Sequence, residues 1–264
     1  MSKKIKYAIV FDFDETLGYF GQSYELWSLV KSFFNNTELD VEYLYSIFDL
    51  FPEIFRTKIF KILKMVKRKK QLGYCDFVAI YTNNTGREFW VNSIKDYIHK
   101  KLKYNLFDQV IRAYKIKNKH IELCRTSHEK SYSDFLSCTK LPHNTKVCFI
   151  DDYEYTHMYN KNVKFIKIHP YTNYISFELF CEKFFNKNKN LFTNNKKKYN
   201  DFFKFFNSNI SKYHNENTIS NNIEKNINLL VYKKIYQNID KFINNKNKYT
   251  RRKKKYNHNH SFKK

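Results

Sequence analysis

Three short stretches of the chain carry residue types that can do chemistry together. Asp12-Phe-Asp14-Glu-Thr16-Leu offers two carboxylates on alternate residues and a hydroxyl. Thr82-Asn-Asn offers a second hydroxyl, and Asp151-Asp152 a further pair of acids. Three or four carboxylates gathered in one crevice cannot all stay ionised without a cation. Hard oxygen donors with room for water select Mg²⁺. With the repulsion cancelled, one carboxylate can attack phosphorus. A second acid can protonate the leaving oxygen and then deprotonate the incoming water. Two acids whose pKa values are pushed apart suit those roles, and a lysine and a hydroxyl would grip the phosphoryl oxygens. The chemistry that fits is phosphoryl transfer through an aspartyl-phosphate.

The elements that must position these residues show in the hydrophobic pattern. Each stretch directly follows a short apolar run: Tyr7–Phe11, Phe77–Tyr81 and Val147–Ile150. Such runs read as buried parallel strands, and Val110-Ile111 and Val163–Ile168 read as two more. Leu26–Asp49, Ile54–Val66 and Trp90–Leu102 carry apolar residues at mostly helical spacing. Strands alternating with helices predict an α/β fold with a parallel sheet. Ligands in such a sheet sit at the carboxyl ends of the strands. D-x-D and Asp-Asp are each common on protein surfaces. Their weight here lies in their order, the apolar run before each, and separations that fit helical crossovers.

These features resemble the haloacid dehalogenase superfamily of aspartyl-phosphate phosphatases. Its strand leading into D-x-D-x-T is matched by Val10-Phe-Asp12-Phe-Asp14-Glu-Thr16-Leu. Its strand ending in Ser or Thr is matched by Ile80-Tyr-Thr82, and its strand ending in paired acids by Phe149-Ile-Asp151-Asp152. Asp-x-Asp-Glu-Thr-Leu and the segment Arg125-Thr-Ser-His-Glu-Lys130-Ser-Tyr-Ser-Asp look like the RNA polymerase II C-terminal-domain (CTD) phosphatases, the small CTD phosphatase and TFIIF-associating group. They also resemble the CTD-phosphatase-like proteins of large DNA viruses. The likeness covers residues 5 to 170.

The resemblance implies a Rossmannoid parallel sheet flanked by helices and Mg²⁺-dependent hydrolysis of phosphoserine or phosphothreonine in a CTD-like protein substrate. It makes Asp12 the nucleophile and a metal ligand. Asp14 becomes the general acid/base, with its backbone carbonyl on the metal. Thr82 and Lys130 bind the phosphoryl group. Asp152 is a metal ligand, while Asp151 either supports the metal or orients Lys130. Lys140 and Lys146 stand as alternatives for the lysine, Lys146 lying close to the strand that ends in Asp151. Thr16 holds the loop.

Composition bounds the rest. The 264 residues carry 26 Phe and 22 Tyr, enough for a sizeable core, but only 4 Gly and 3 Pro. That excludes collagen-like and linker-rich designs, and leaves almost no room for a glycine-rich phosphate loop. The formal charge is +24, which attracts anionic partners. Abundant Asn and Lys also follow from an AT-rich genome without selection for charge. From Asn186 onward Lys and Arg outnumber acids about 20 to 4, roughly two-thirds of the excess. Residues 1–185 therefore read as the phosphatase domain, with a helical insertion over about 20–72. Residues 186–264 read as a basic, partly helical tail. Within it Ile223, Ile227, Leu230, Val231, Ile235, Ile239 and Phe242 mark an amphipathic helix. Arg251-Arg-Lys-Lys-Lys is a candidate nuclear signal or nucleic-acid patch.

The insertion is long for a connection. It is readable as a small helical lid with Trp27, Phe33, Phe34 and Phe48 as its core; for those aromatics ordinary packing is preferred over a substrate pocket. The five cysteines form no C-x-x-C pair, and their odd number makes no disulfide framework, so a reducing compartment is expected. His120-x3-Cys124-x3-His128 is a weak zinc pattern lacking nearby partners. No apolar stretch approaches a membrane span. The expectation is a soluble intracellular enzyme, nuclear or cytoplasmic. The alternatives are a phosphatase of nucleic-acid ends or nucleotides and a non-catalytic binder on the same fold. The full set Asp12, Asp14, Thr82, Lys130 and Asp152 argues against the last.

Overall fold

In the computed structural model, residues 5–36, 39–210 and 221–261 are described, with side chains of the last helix from 223 to 244. From the N-terminus, β1 (Tyr7–Phe11) is followed by α1 (Phe20–Phe33), α2 (Val41–Leu50) and α3 (Ile59–Gln71). Then come β2 (Phe77–Tyr81), α4 (Glu88–Leu102) and β3 (Gln109–Ile111). A short ribbon, β4 (Lys115–Ile116) with β5 (Lys119–His120), leads to α5 (Tyr132–Thr139), β6 (Lys146–Asp151) and β7 (Val163–Lys167). The chain continues through α6 (Phe177–Lys187), α7 (Lys189–Asn194), α8 (Tyr199–Asn209) and α9 (Asn221–Ser261).

The apolar runs pair as a parallel sheet in the order β3-β2-β1-β6-β7, an α/β fold with a Rossmann-like arrangement. β1 is central and buried along its whole length. Because successive side chains point to opposite faces, it feeds two cores. Ala8 and Val10 pack with Ala79, Tyr81, Val147, Phe149 and α5 on one face. Tyr7, Ile9 and Phe11 join the larger core on the other, which also takes in α1–α4 and the C-terminal helices.

The helical readings hold with shifted boundaries. The stretch Leu26–Asp49 is two helices, α1 and α2. In Ile54–Val66 the helix begins only at Ile59, after a 3-10 turn at Pro52–Ile54. Trp27, Phe33, Phe34 and Phe48 are all buried in the larger core rather than in a separate lid, which is the ordinary-packing alternative. The insertion is tied back to the first loop: Tyr19 N–H donates to Ile54 O at 2.8 Å and Arg56 N–H to Leu17 O at 2.9 Å. Gly18 is required there, since a Cβ would lie 2.5 Å from the Ile54 carbonyl oxygen.

The composition break at residue 185 does not coincide with an element boundary. It falls inside α6, and the segments beyond it pack on the body. Phe180 and Phe184 of α6 stack on Phe206 and Phe202 of α8, and Phe202 meets Phe33 of α1 with ring centroids 5.0 Å apart. In α9, Val231, Ile235, Ile239, Phe242 and Ile243 are buried. The helix lies against α3, β1, β6 and β7, with the Phe242 ring 5.4 Å from that of Tyr7. Polar surface and a buried apolar stripe coexist on one helix, so net charge does not reveal docking. Of the predicted stripe, Ile223 and Leu230 are exposed. The backbone of α9 runs through Arg251–Lys255, whose side chains lie outside the described residues. No described helix is long and apolar enough to cross a membrane.

If α9 is part of the core, Ile239→Ala should lower the unfolding free energy by about 2–5 kcal/mol, the cost of a buried cavity. Urea denaturation of the full chain measures this. A change indistinguishable from zero would mean that α9 is an appendage.

Candidate active site

The sheet order reverses beside β1, with β2 and β3 on one side and β6 and β7 on the other. Such a switch point opens a crevice at the carboxyl ends of the strands. Register then sets what fills it. Phe11 lies level with Ile80 and Ile150, and Asp12 N–H continues the ladder by donating to Ile150 O at 2.9 Å. Asp12, Asp151 and Asp152 are therefore brought side by side, their carboxylate oxygens within 4.8 Å of one another. Thr82 extends β2 in the same way, donating its N–H to Ile111 O at 2.9 Å.

Lys130 enters this acidic group from the loop before α5. Its side chain is 1% exposed. Nζ donates to Asp12 Oδ1 and, at 2.7 Å, to Asp151 Oδ2. It lies 5.1 Å from the Tyr155 ring centroid and 5.7 Å from that of Phe149. Burial pulls the ammonium down, but Asp12 and Asp151 outweigh it and hold it above the usual lysine range. The other two lysines are elsewhere. Lys140 is exposed at the end of α5. Lys146 sits at the opposite end of β6 and donates to Asn162 Oδ1 at 2.6 Å.

The paired acids divide their work. Both oxygens of Asp151 are engaged, Oδ2 by Lys130 and Oδ1 by Tyr153 N–H at 2.8 Å. Asp152 takes the Thr16 hydroxyl on Oδ1 at 3.1 Å, so Thr16 holds an acid as well as the loop. Burial and then the Asp12 charge raise the Asp152 carboxyl above the ordinary aspartate range, while Thr16 lowers it. Three carboxylates against one ammonium leave an excess of two negative charges, which one divalent cation balances. The donor set therefore fits a divalent cation such as Mg²⁺, which Asp12 and Asp152 would hold with Asp151 behind them.

Asp14 is separate. Its carboxylate turns to Asn84, whose Nδ2 donates to Oδ2 at 2.7 Å, and it is outside the carboxylate triad. Burial pushes it up to about 7, the Asn84 amide pulls it back, and the charge of Asp12 adds to the rise. A proton that resides on the acid near neutral pH is what a general acid needs. Asn84 N–H also donates to Thr82 Oγ1 at 2.9 Å, which leaves the threonine proton available to another acceptor.

Three positioning residues escaped the sequence reading. Asn84 was visible only as a neighbour of Thr82. Arg56 is 1% exposed. It donates to the carbonyls of Glu15, Thr16 (2.7 Å) and His169 (2.8 Å), clamping the Asp12–Gly18 loop to the strand end beyond β7. Arg125 is buried and donates to the carbonyls of Thr82 (3.2 Å), Arg112 (2.7 Å) and His128 (3.1 Å). A lone arginine in an apolar stretch is the only signal for Arg56, and it names no partner.

The cysteine expectation is corrected: Cys124 and Cys138 form a disulfide, with Cα atoms 5.0 Å apart, while Cys75, Cys148 and Cys181 are free and buried. The bond closes the segment that carries Lys130. His120-x3-Cys124-x3-His128 is not helical. The two histidine rings instead meet the Tyr114 ring, at 4.7 and 5.5 Å.

Asp14 titrates near 7 in the folded chain against 3.8 ordinarily. Its contribution to stability is therefore complete below the lower value and lost as pH rises through the upper one. Metal-free Asp14→Asn protein should melt above the wild type at about pH 8, with the gap closing toward about pH 5. A gap that ignores pH would contradict this. No protein-family model, curated protein or solved structure matches this chain.

Proposed function

We propose that the chain is a Mg²⁺-dependent phosphoprotein phosphatase working through an aspartyl-phosphate. The observation that carries this reading is the convergence of Asp12, Asp14, Thr82, Lys130 and Asp152 at one switch point, from segments far apart in the chain. In this reading Asp12 attacks phosphorus and the ester P–O bond breaks. Asp14 gives its proton to the departing serine or threonine oxygen. It then takes a proton from the water that attacks the acyl-phosphate, and inorganic phosphate leaves with Asp12 restored. Lys130 and the Thr82 hydroxyl bind phosphoryl oxygens, where preorganised donors matter most. Mg²⁺, when bound, supplies charge neutralisation between carboxylates and phosphate. Asp151 holds Lys130, and Asn84 holds Asp14. The substrate class, phosphoserine or phosphothreonine in a CTD-like peptide, rests on the resemblance of the motifs.

A second reading, a phosphatase of nucleic-acid ends, is favoured by one feature. Lys58, Lys61, Lys64 and Arg68 are exposed along α3 and its start, at a spacing that makes a single basic stripe.

Purified chain with Mg²⁺ should hydrolyse an aryl phosphate, and chelation should stop it. Asp12→Asn should abolish turnover. Lys130→Met should lower it by about a hundredfold or more, with circular dichroism confirming the fold. A phosphate trapped on Asp12 and read by mass spectrometry is expected; turnover that survives Asp12→Asn would sink the mechanism. Phosphopeptides compared with 3′- and 5′-phosphorylated oligonucleotides, across salt concentrations, separate the two substrate classes.

A further inference from the structure

Between α1 and the start of α4 lies a cavity of about 320 Å³ that the phosphoryl chemistry does not use. Tyr24, Trp27, Lys31, Asp40, Arg87, Phe89 and Trp90 are among its lining residues. Asp40 is already committed, its carboxylate accepting from Glu42 N–H at 2.9 Å to cap α2. Lys31 and Arg87 form no ion pair among the described residues. Burial and then the Arg87 charge pull Lys31 below the usual lysine range. Lys31 and Arg87 bring two positive charges to a lining that holds one carboxylate, that of Asp40, and the excess positive charge attracts an anion.

A second observation points the same way. Trp27 is 1% exposed, and its indole N–H is buried with no hydrogen-bond partner among the described residues. An unpaired buried donor is costly, and an acceptor oxygen entering the cavity is one way to satisfy it. Lys31 lies 5.8 Å from the Trp27 ring centroid. Tyr24 and Phe89, 40% and 49% exposed, leave apolar surface at the rim.

Position gives the site its meaning. Arg87 and Trp90 directly follow the loop that carries Asn84. A Cβ on Gly86 would lie 2.8 Å from Asn84 Oδ1 and 3.9 Å from Trp90 Cδ1. Asn84 in turn holds Asp14, the acid that meets the leaving group. The lining residues Arg87 and Trp90 thus continue directly from the segment that holds Asp14, which in the phosphatase reading marks the leaving-group side.

We infer that this cavity is a specificity subsite that takes an anionic side chain, a carboxylate or a second phosphate, from the peptide flanking the scissile phosphoester. The inference rests on the phosphatase reading for the direction of the substrate. The binding itself is measurable without turnover, because the chain has two tryptophans and both line the cavity.

The test uses full-length Asp12→Asn protein with excitation selective for tryptophan. Three phosphoserine peptides are titrated, flanked by glutamates, by a second phosphoserine or by alanines. Both anionic flanks, or one of them, should bind at least about tenfold tighter than the alanine flank and shift the emission. Which flank wins identifies the anion. In Lys31→Glu/Arg87→Glu the preference should fall to about one, whereas Lys161→Glu/Lys164→Glu should keep it. Lys31→Gln/Arg87→Gln serves if the reversed protein does not fold. Equal binding of all flanks, or a preference that survives either cavity variant, overturns the inference. An equal emission shift with a phosphorylated oligonucleotide overturns the peptide assignment. Failure of the wild type to hydrolyse an aryl phosphate would count against the phosphatase reading alone, since the titration still judges the cavity.

Discussion

One ammonium buried between two carboxylates governs the arrangement of the crevice. Lys130 is buried, and contact with Asp12 and Asp151 offsets its loss of hydration. Remove either acid and a charge is left uncompensated in the interior; withdraw the lysine and three carboxylates face one another. The three residues hold position as a unit, and the segments that carry them must be held to match. β1 and β6 do so through their shared ladder. The Lys130 loop has no ladder. It is held by Arg125 on three carbonyls, by Thr126 N–H and Oγ1 on Asp134, and by the Cys124–Cys138 bond.

The same logic explains why a long insertion and a basic C-terminal region belong to this domain. The larger sheet face needs cover, and α1–α4 supply only part of it. α6, α8 and α9 complete it with Phe180, Phe184, Phe202, Phe206, Ile235 and Ile239. Arg56, from the insertion, then reaches the Asp12–Gly18 loop and ties three backbone carbonyls together. Cation-to-carbonyl contacts suit this place: the guanidinium rigidifies the loop through backbone oxygens and leaves the carboxylate oxygens to other partners.

Much of the crevice was legible. Asp12, Thr82 and Asp151 each follow a run of apolar residues that can only be a buried strand, and parallel strands gather their carboxyl ends. Lys130 was reached through motif likeness, and the fold chooses it over Lys140 and Lys146 because they lie at the wrong ends of α5 and β6. The composition break at 185 gave no sign that α8 and α9 pack on the body, because charge density describes a helix's wet face and is silent about its dry one.

Order along the chain thus settled the strands, their direction and the residue types at their ends, since hydrophobic period and strand length are local properties. Tertiary structure alone decided that Cys124 meets Cys138, that Asp151 serves the lysine while Asp152 takes the Thr16 hydroxyl, that Asn84 holds Asp14, and that α9 lies across the sheet. Each depends on where two distant segments come to rest against one another, and no local pattern encodes a distance between them.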